Sequence, residues 1–119
     1  MPMTARELAD HLQKVWDIDH IQLTGCPDKK GAMLSCAFGT PGHIMSEMEA
    51  CDFVLTGELC QWREAEAARD WAQLGYNKAV LVLGHIGSER QGMKLLAKML
   101  QKEFSEFKTH YIECGEVYL

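Results

Sequence analysis

The sequence predicts an α/β fold: a single three-layer domain with a mostly parallel sheet and helices on both faces. Short apolar runs alternate with segments of helical periodicity, which is typical of repeated strand–helix units. The run at residues 79–83 is apolar at every position, as expected for a parallel strand that is buried on both faces. The chain has 119 residues, which fits one domain spanning residues 1–119.

The first predicted elements are a helix and a strand separated by a short linker. Thr4 and Glu7 have the spacing of a capping box and predict a helix over residues 4–16. Weak alternation of apolar and polar residues predicts a strand at residues 20–24. The stretch at residues 25–31 is rich in turn-forming residues and predicts a loop.

From residue 32 onward, strands and helices alternate. Strands are predicted at residues 32–38, 52–56 and 79–83, and a last strand at residues 108–113. The helices predicted between them are a short one through Met45 and Met48, an alanine-rich one that ends near Gly75, and one that opens on a second capping box formed by Ser88 and Gln91.

Composition and charge restrict the class of protein. Hydrophobic residues make up 47% of the chain and charged residues 24%, the balance of a folded globular domain. The net charge of −5 predicts no nucleic-acid partner, because phosphate contacts require a basic face. The sequence contains no long apolar stretch and no leader-like N-terminus, so we expect no membrane partner and no signal peptide.

The cysteines indicate a reducing compartment. There are five, an odd number, and no two have the C-x-x-C spacing. We therefore expect free thiols rather than a disulfide framework or a four-cysteine zinc site, which predicts a cytoplasmic location. Cys36 and Cys51 lie in apolar stretches and are predicted to be buried.

Polar side chains follow the ends of three successive predicted strands. His43 follows the first of them, Glu58 the second, and His85 and Glu89 the third. The carboxyl ends of parallel strands meet at one sheet edge, so these side chains can converge. Imidazole and carboxylate suit Zn, Fe, Mn or Ni, which makes His85 and Glu89 the candidate metal ligands. Glu58 is the candidate catalytic residue, as a general base.

A simpler interpretation of the same residues stays open. Glycine and polar residues are common in ordinary strand–helix turns. Glu58 and Glu89 each stand near the start of a predicted helix, where a carboxylate compensates the helix dipole without any further function.

Two segments carry a resemblance to a known family. Residues 51–58 (CDFVLTGE) resemble the "gaDvfiTGE" segment of the Ngg-interacting-factor-three-like proteins, and residues 84–89 (GHIGSE) resemble their "GHyaTE" segment. The resemblance implies an α/β fold, homo-oligomers in the form of ring-like hexamers, and a dinuclear metal centre. The family's last two metal ligands carry over to His85 and Glu89. Metal-dependent hydrolysis of a nucleotide-like or phosphoester substrate is the activity that it implies.

The chain departs from that family in its ligand set. The family's other ligands, a histidine pair and an aspartate, belong to an N-terminal half that has no counterpart here, since no His-His dipeptide occurs. Three interpretations stay open. The chain could be a reduced hydrolase with one divalent metal ion at His85 and Glu89, helped by Glu58 or His43. It could be a non-catalytic ligand-binding or assembly module. Alternatively, a separate chain could supply the missing half.

Overall fold

The computed structural model describes residues 2–117. The strands are β1 (Met3–Thr4), β2 (Gln22–Gly25), β3 (Lys30–Gly31), β4 (Leu34–Ala37), β5 (Phe53–Thr56) and β6 (Ala79–Val82). The helices are α1 (Ala5–Trp16), α2 (Met45–Ala50), α3 (Glu66–Gln73) and α4 (His85–Glu103), with a π-helical turn (Gln61–Ala65) before α3. Within residues 2–117, no helix has both the length and the apolar character needed to span a membrane.

Four strands form the central sheet in the order β2–β6–β5–β4. β4, β5 and β6 are parallel, whereas β2 pairs antiparallel with β6 at one edge. Leu55 in β5 lies opposite Cys36 on one side and Leu81 on the other. The prediction of a mostly parallel sheet is confirmed. β1 and β3 form a separate antiparallel pair, and β3 lies in the stretch that was predicted as a loop.

Helices cover both faces of the sheet. On one face, Leu12 of α1 belongs to the same apolar cluster as Leu55 of β5. On the other face, Met48 of α2 and Ala68 of α3 cluster with Val54. Adjacent residues of a strand point to opposite faces, so β5 contributes to both clusters. The predicted three-layer arrangement is therefore confirmed.

The first helix begins as the sequence predicts. Oγ1 of Thr4 accepts a hydrogen bond from the N–H of Glu7 at 3.1 Å, and Oε2 of Glu7 accepts one from the N–H of Thr4 at 2.8 Å. A capping box of this kind satisfies backbone donors that the first turn leaves without a helical partner. α1 ends at Trp16, and the capping residue Asp17 adopts a left-handed conformation with φ of 54°.

Two predictions near the C-terminal end of the chain are wrong. Residues 108–113 form no strand, and ion pairs from Arg90 and Lys94 to Glu113 hold this irregular stretch beside α4. Ser88 forms no capping box, because α4 already begins at His85. Its hydroxyl instead donates to the carbonyl of His85 at 2.8 Å.

The predicted burial of the two cysteines is also wrong. Cys36 is exposed and Cys51 is half-buried. β4 is the edge strand of the sheet, so an apolar run there is less enclosed than in β5 or β6. All five cysteines are free thiols.

Asp52 links the start of β5 to the turn before β4. Its Oδ2 accepts hydrogen bonds from the N–H of Ala32 at 2.8 Å and of Met33 at 3.0 Å. These two backbone hydrogen bonds lower the pKa of the Asp52 carboxyl. The stabilisation is therefore complete above the carboxyl pKa of the unfolded chain and is lost as the pH falls through the lower folded value.

We expect Asp52→Ala to reduce the free energy of unfolding at pH 7 by about 1 kcal/mol, because solvent weakens these bonds. Urea denaturation checks this, with Asp19→Ala, an exposed aspartate, as the control. The difference between wild type and D52A should shrink below about pH 4. A difference that persists unchanged at pH 2 would contradict the electrostatic explanation.

Candidate functional site

The turns that follow β4, β5 and β6 meet at the carboxyl edge of the sheet. The N–H of Glu58 donates to the carbonyl of Gly39 at 2.9 Å, and the N–H of Gly39 donates to Oγ of Ser88 at 3.0 Å. A Cβ atom on Gly57 would lie closer than 3.0 Å to atoms of both Gly39 and Ser88. Only glycine at position 57 lets the backbone come this close to Gly39 and Ser88. The two hydrogen bonds then hold the three chain segments together.

Three of the predicted site residues come together at this junction. Nδ1 of His85 lies 2.7 Å from Oε1 of Glu58, and Nε2 of His85 lies 3.2 Å from Oε2 of Glu89. Oγ1 of Thr40 lies 3.1 Å from the same Nδ1. The ring of His85 thus stands between two carboxylates. His85 is the first residue of α4 and lies just beyond the end of β6, as the sequence predicts.

The contacts in this cluster stabilise the charged forms of both partners. The hydrogen bond with Glu58 raises the pKa of His85, and the charge of Glu89 also raises it. The hydrogen bond with His85, and a second one with Thr40, lower the pKa of Glu58. The side chains of His85, Glu58 and Glu89 are 44%, 49% and 47% exposed, so solvent and small molecules can reach them.

The donor set fits part of a metal site. When the neutral ring of His85 carries its proton on Nδ1 and donates a hydrogen bond to Glu58, the lone pair of Nε2 is free and faces Glu89. Two ligands bound to the same tetrahedral zinc ion lie about 3.4 Å apart, close to the observed separation of Nε2 and Oε2. Among residues 2–117, no group of three or more His, Cys, Asp or Glu side chains is arranged to hold an ion. The pair therefore fits as two ligands of an incomplete set.

His43 lies outside this cluster. Its Nδ1 is 3.7 Å from Oε1 of Glu64, a carboxylate of the π-helical turn that is fully buried. Nε of Arg63 also pairs with Oε1 of Glu64, whereas Oε2 has no hydrogen-bond partner among the described residues. The guanidinium of Arg63 lies over the ring of Trp62, 5.4 Å from its centroid. His43, Arg63 and Glu64 thus form a second polar cluster.

Sequence reasoning missed three residues that shape the site. Thr40 contacts His85, Ser88 joins the turns, and Glu64 is a buried charge. Thr40 follows the strand end in a turn with two glycines, a signal that could have drawn attention to it. Ser88 lies in the segment that resembles the family's "GHyaTE" sequence, at the place of its threonine, so a signal was present. Glu64 offered none, because glutamate on a helix is usually a solvated residue.

The fold and this cluster define a class: a three-layer α/β protein with an exposed histidine and two carboxylates at the carboxyl edge of its sheet. The model of the Duf34/NIF3 (NGG1p interacting factor 3) family matches residues 1–116, and the chain belongs to that family. Comparison with curated protein sequences gave no match.

Solved structures support the fold. The Staphylococcus aureus protein SA1388 matches with a TM-score of 0.71 and 15% identity, over 100% of this chain and 34% of its own. A Bacillus cereus protein related to NIF3 matches with a TM-score of 0.66 and 14% identity, over 100% of this chain and 33% of its own. Thermus thermophilus TTHA1606 matches with a TM-score of 0.55 and 19% identity, over 94% of this chain and 44% of its own. The chain therefore spans about a third of the first two proteins.

Proposed function

We propose that this chain is a shortened, divergent family member with a partial divalent-metal site formed by His85 and Glu89. The observation that carries the proposal is the convergence of Glu58, His85 and Glu89 on one solvent-accessible point. The remaining ligands would come from water, from another copy of the chain, or from a separate chain. The proposed activity is metal-dependent hydrolysis.

Each residue of the cluster has a defined role in this proposal. Nε2 of His85 and Oε2 of Glu89 would hold the ion, and a divalent ion supplies Lewis acidity that activates water near neutral pH. Glu58 would accept a hydrogen bond from Nδ1–H of His85, which would hold the ring in the tautomer that leaves Nε2 free to bind. The same carboxylate is ionised and exposed, so it is also our candidate for the general base.

We expect tag-free wild-type protein to bind about one Zn, Fe, Mn or Ni per chain, and His85→Ala/Glu89→Ala to bind none. Mass spectrometry of the metal content measures this after dialysis at about pH 8, because a protonated imidazole cannot bind a metal. His11→Ala/Glu66→Ala is the matched control, since it removes one exposed histidine and one exposed glutamate elsewhere. Equal metal content in wild type and in the His85/Glu89 variant would contradict the proposal.

Glu58→Gln separates the two roles of that carboxylate. An amide oxygen can still accept a hydrogen bond from Nδ1–H of His85, so we expect metal affinity to fall by no more than about tenfold. Loss of turnover with metal still bound would support a general base, measured on phosphoester and nucleotide substrates. If neither the wild type nor His85→Ala/Glu89→Ala binds metal, even after soaking in metal salts, the hydrolase proposal is replaced by a ligand-binding or assembly module.

A further inference from the structure

A groove runs along α4 beside the proposed metal site. The irregular stretch at residues 109–114 forms its second wall, and the cavity between the two walls has a volume of about 390 Å³. Arg90 holds the wall in place through Glu113 at 3.1 Å and through Glu116 at 2.7 Å. Lys94 adds a contact with Glu113 at 3.4 Å. This volume lies within the usual range for small-molecule sites, about 300–1,000 Å³.

The groove is mostly apolar, although Thr109 and His110 also line it, and its polar end is formed by His85 and Glu89. Met93, Leu96, Ala97 and Leu100 line it from α4, and Ile112 lines it from the opposite wall. His85 and Glu89 lie at the polar end, so the groove opens directly onto the candidate site.

The arginine and lysine side chains that border the apolar part of the groove are already paired with a carboxylate. Arg90 and Lys94 both pair with Glu113. Glu89 adds a negative charge at the polar end. An uncharged aliphatic chain would cover the exposed apolar side chains along the groove.

We propose that the groove binds the unbranched aliphatic arm of a small-molecule substrate whose hydrolysable group lies at His85. The substrate assignment rests on the proposed hydrolase function, although the groove itself does not depend on a bound metal. Its concave shape and its opening onto His85 and Glu89 favour a small molecule over a second copy of α4.

The test uses n-octanamide, which has a neutral amide head and an unbranched apolar chain, with metal-free full-length protein. We expect saturable binding with a Kd of about 1 mM or tighter. The measurement is the change in the NMR chemical shifts of the protein's backbone amides as octanamide is added. The shifts should concentrate on α4 and residues 109–114. Ala97→Trp should fill the groove and weaken binding at least tenfold. Leu95→Trp is the matched control: Leu95 lies on α4, is 58% exposed and does not line the groove.

A second groove variant and the site variant show whether octanamide binding depends on the groove or on the metal site. Met93→Lys, at an exposed groove position, should also weaken binding and serves if A97W fails to fold. Retained octanamide binding in His85→Ala/Glu89→Ala supports the groove even if the metal proposal fails. Absence of binding to wild type, or equal weakening by A97W and L95W, overturns the inference. Sedimentation showing a dimer that A97W dissociates, without octanamide binding, would assign the groove to a second copy and also overturn it.

Discussion

Gly57→Ala is expected to lower the free energy of unfolding by about 3 kcal/mol, because an added methyl group has no space where the turns meet. Its Cβ would lie closer than 3.0 Å to the backbone of Gly39 and to the hydroxyl of Ser88. Backbone atoms cannot move aside as the end of a flexible side chain can. The turn after β5 would have to shift, and Glu58 would move away from His85.

The matched control is Gly92→Ala. Gly92 lies within α4, and a Cβ there would meet no atom within 4 Å. Alanine is favoured over glycine in a helix interior by about 1 kcal/mol, so this variant should gain stability. Thermal and urea denaturation of the two variants would give opposite signs. A neutral effect of G57A would show that the three turns are not held together as closely as described.

Arg63→Met is expected to cost about 3 kcal/mol or more, because it leaves the fully buried carboxylate of Glu64 without its guanidinium. His43 is 3.7 Å away and mostly exposed, so its imidazole is a poor substitute. Urea denaturation measures the loss. Glu64→Gln in the same chain removes the buried charge and should restore part of the stability.

A second arginine offers a matched control for this effect. Arg69 also pairs with the acidic residue that follows it, Asp70, but both side chains are more than half exposed, at 55% and 57%. Arg69→Met should change stability by less than about 0.5 kcal/mol, since exposed ion pairs contribute little. If R63M and R69M lose similar amounts of the free energy of unfolding, the burial of Glu64 is not the reason for the loss in R63M.

Much of the fold could be predicted because its signals are local. The capping box of Thr4 and Glu7 defines the start of α1, and the apolar run at residues 79–83 identifies the central strand β6. Residues 108–113 show the limit of this approach. Their pattern favours a strand, but their position is set by ion pairs with Arg90, and the charge partners of a distant segment cannot be read from its periodicity.

The sequence predicts which residues gather at the candidate site better than it predicts which of their side chains touch. The strand ends brought Glu58, His85 and Glu89 to one edge, as parallel strands require. His43 follows a neighbouring strand by the same rule, yet it contacts Glu64 instead. Which side chains touch within such an edge depends on turn conformation, and the π-helical turn that carries Glu64 has no sequence signature that we recognised.

The antiparallel pairing of β2 with β6 has a consequence for the order in which the molecule assembles. Gln22 faces Val82 and Gly25 faces Ala79, so this edge of the sheet joins segments far apart in the chain. Closing so long a loop costs entropy before any contact compensates for it, which slows folding relative to local helix formation. During synthesis, β2 leaves the ribosome well before its partner does. His85 lies three residues beyond β6, so its ring reaches the sheet edge only once that strand has paired.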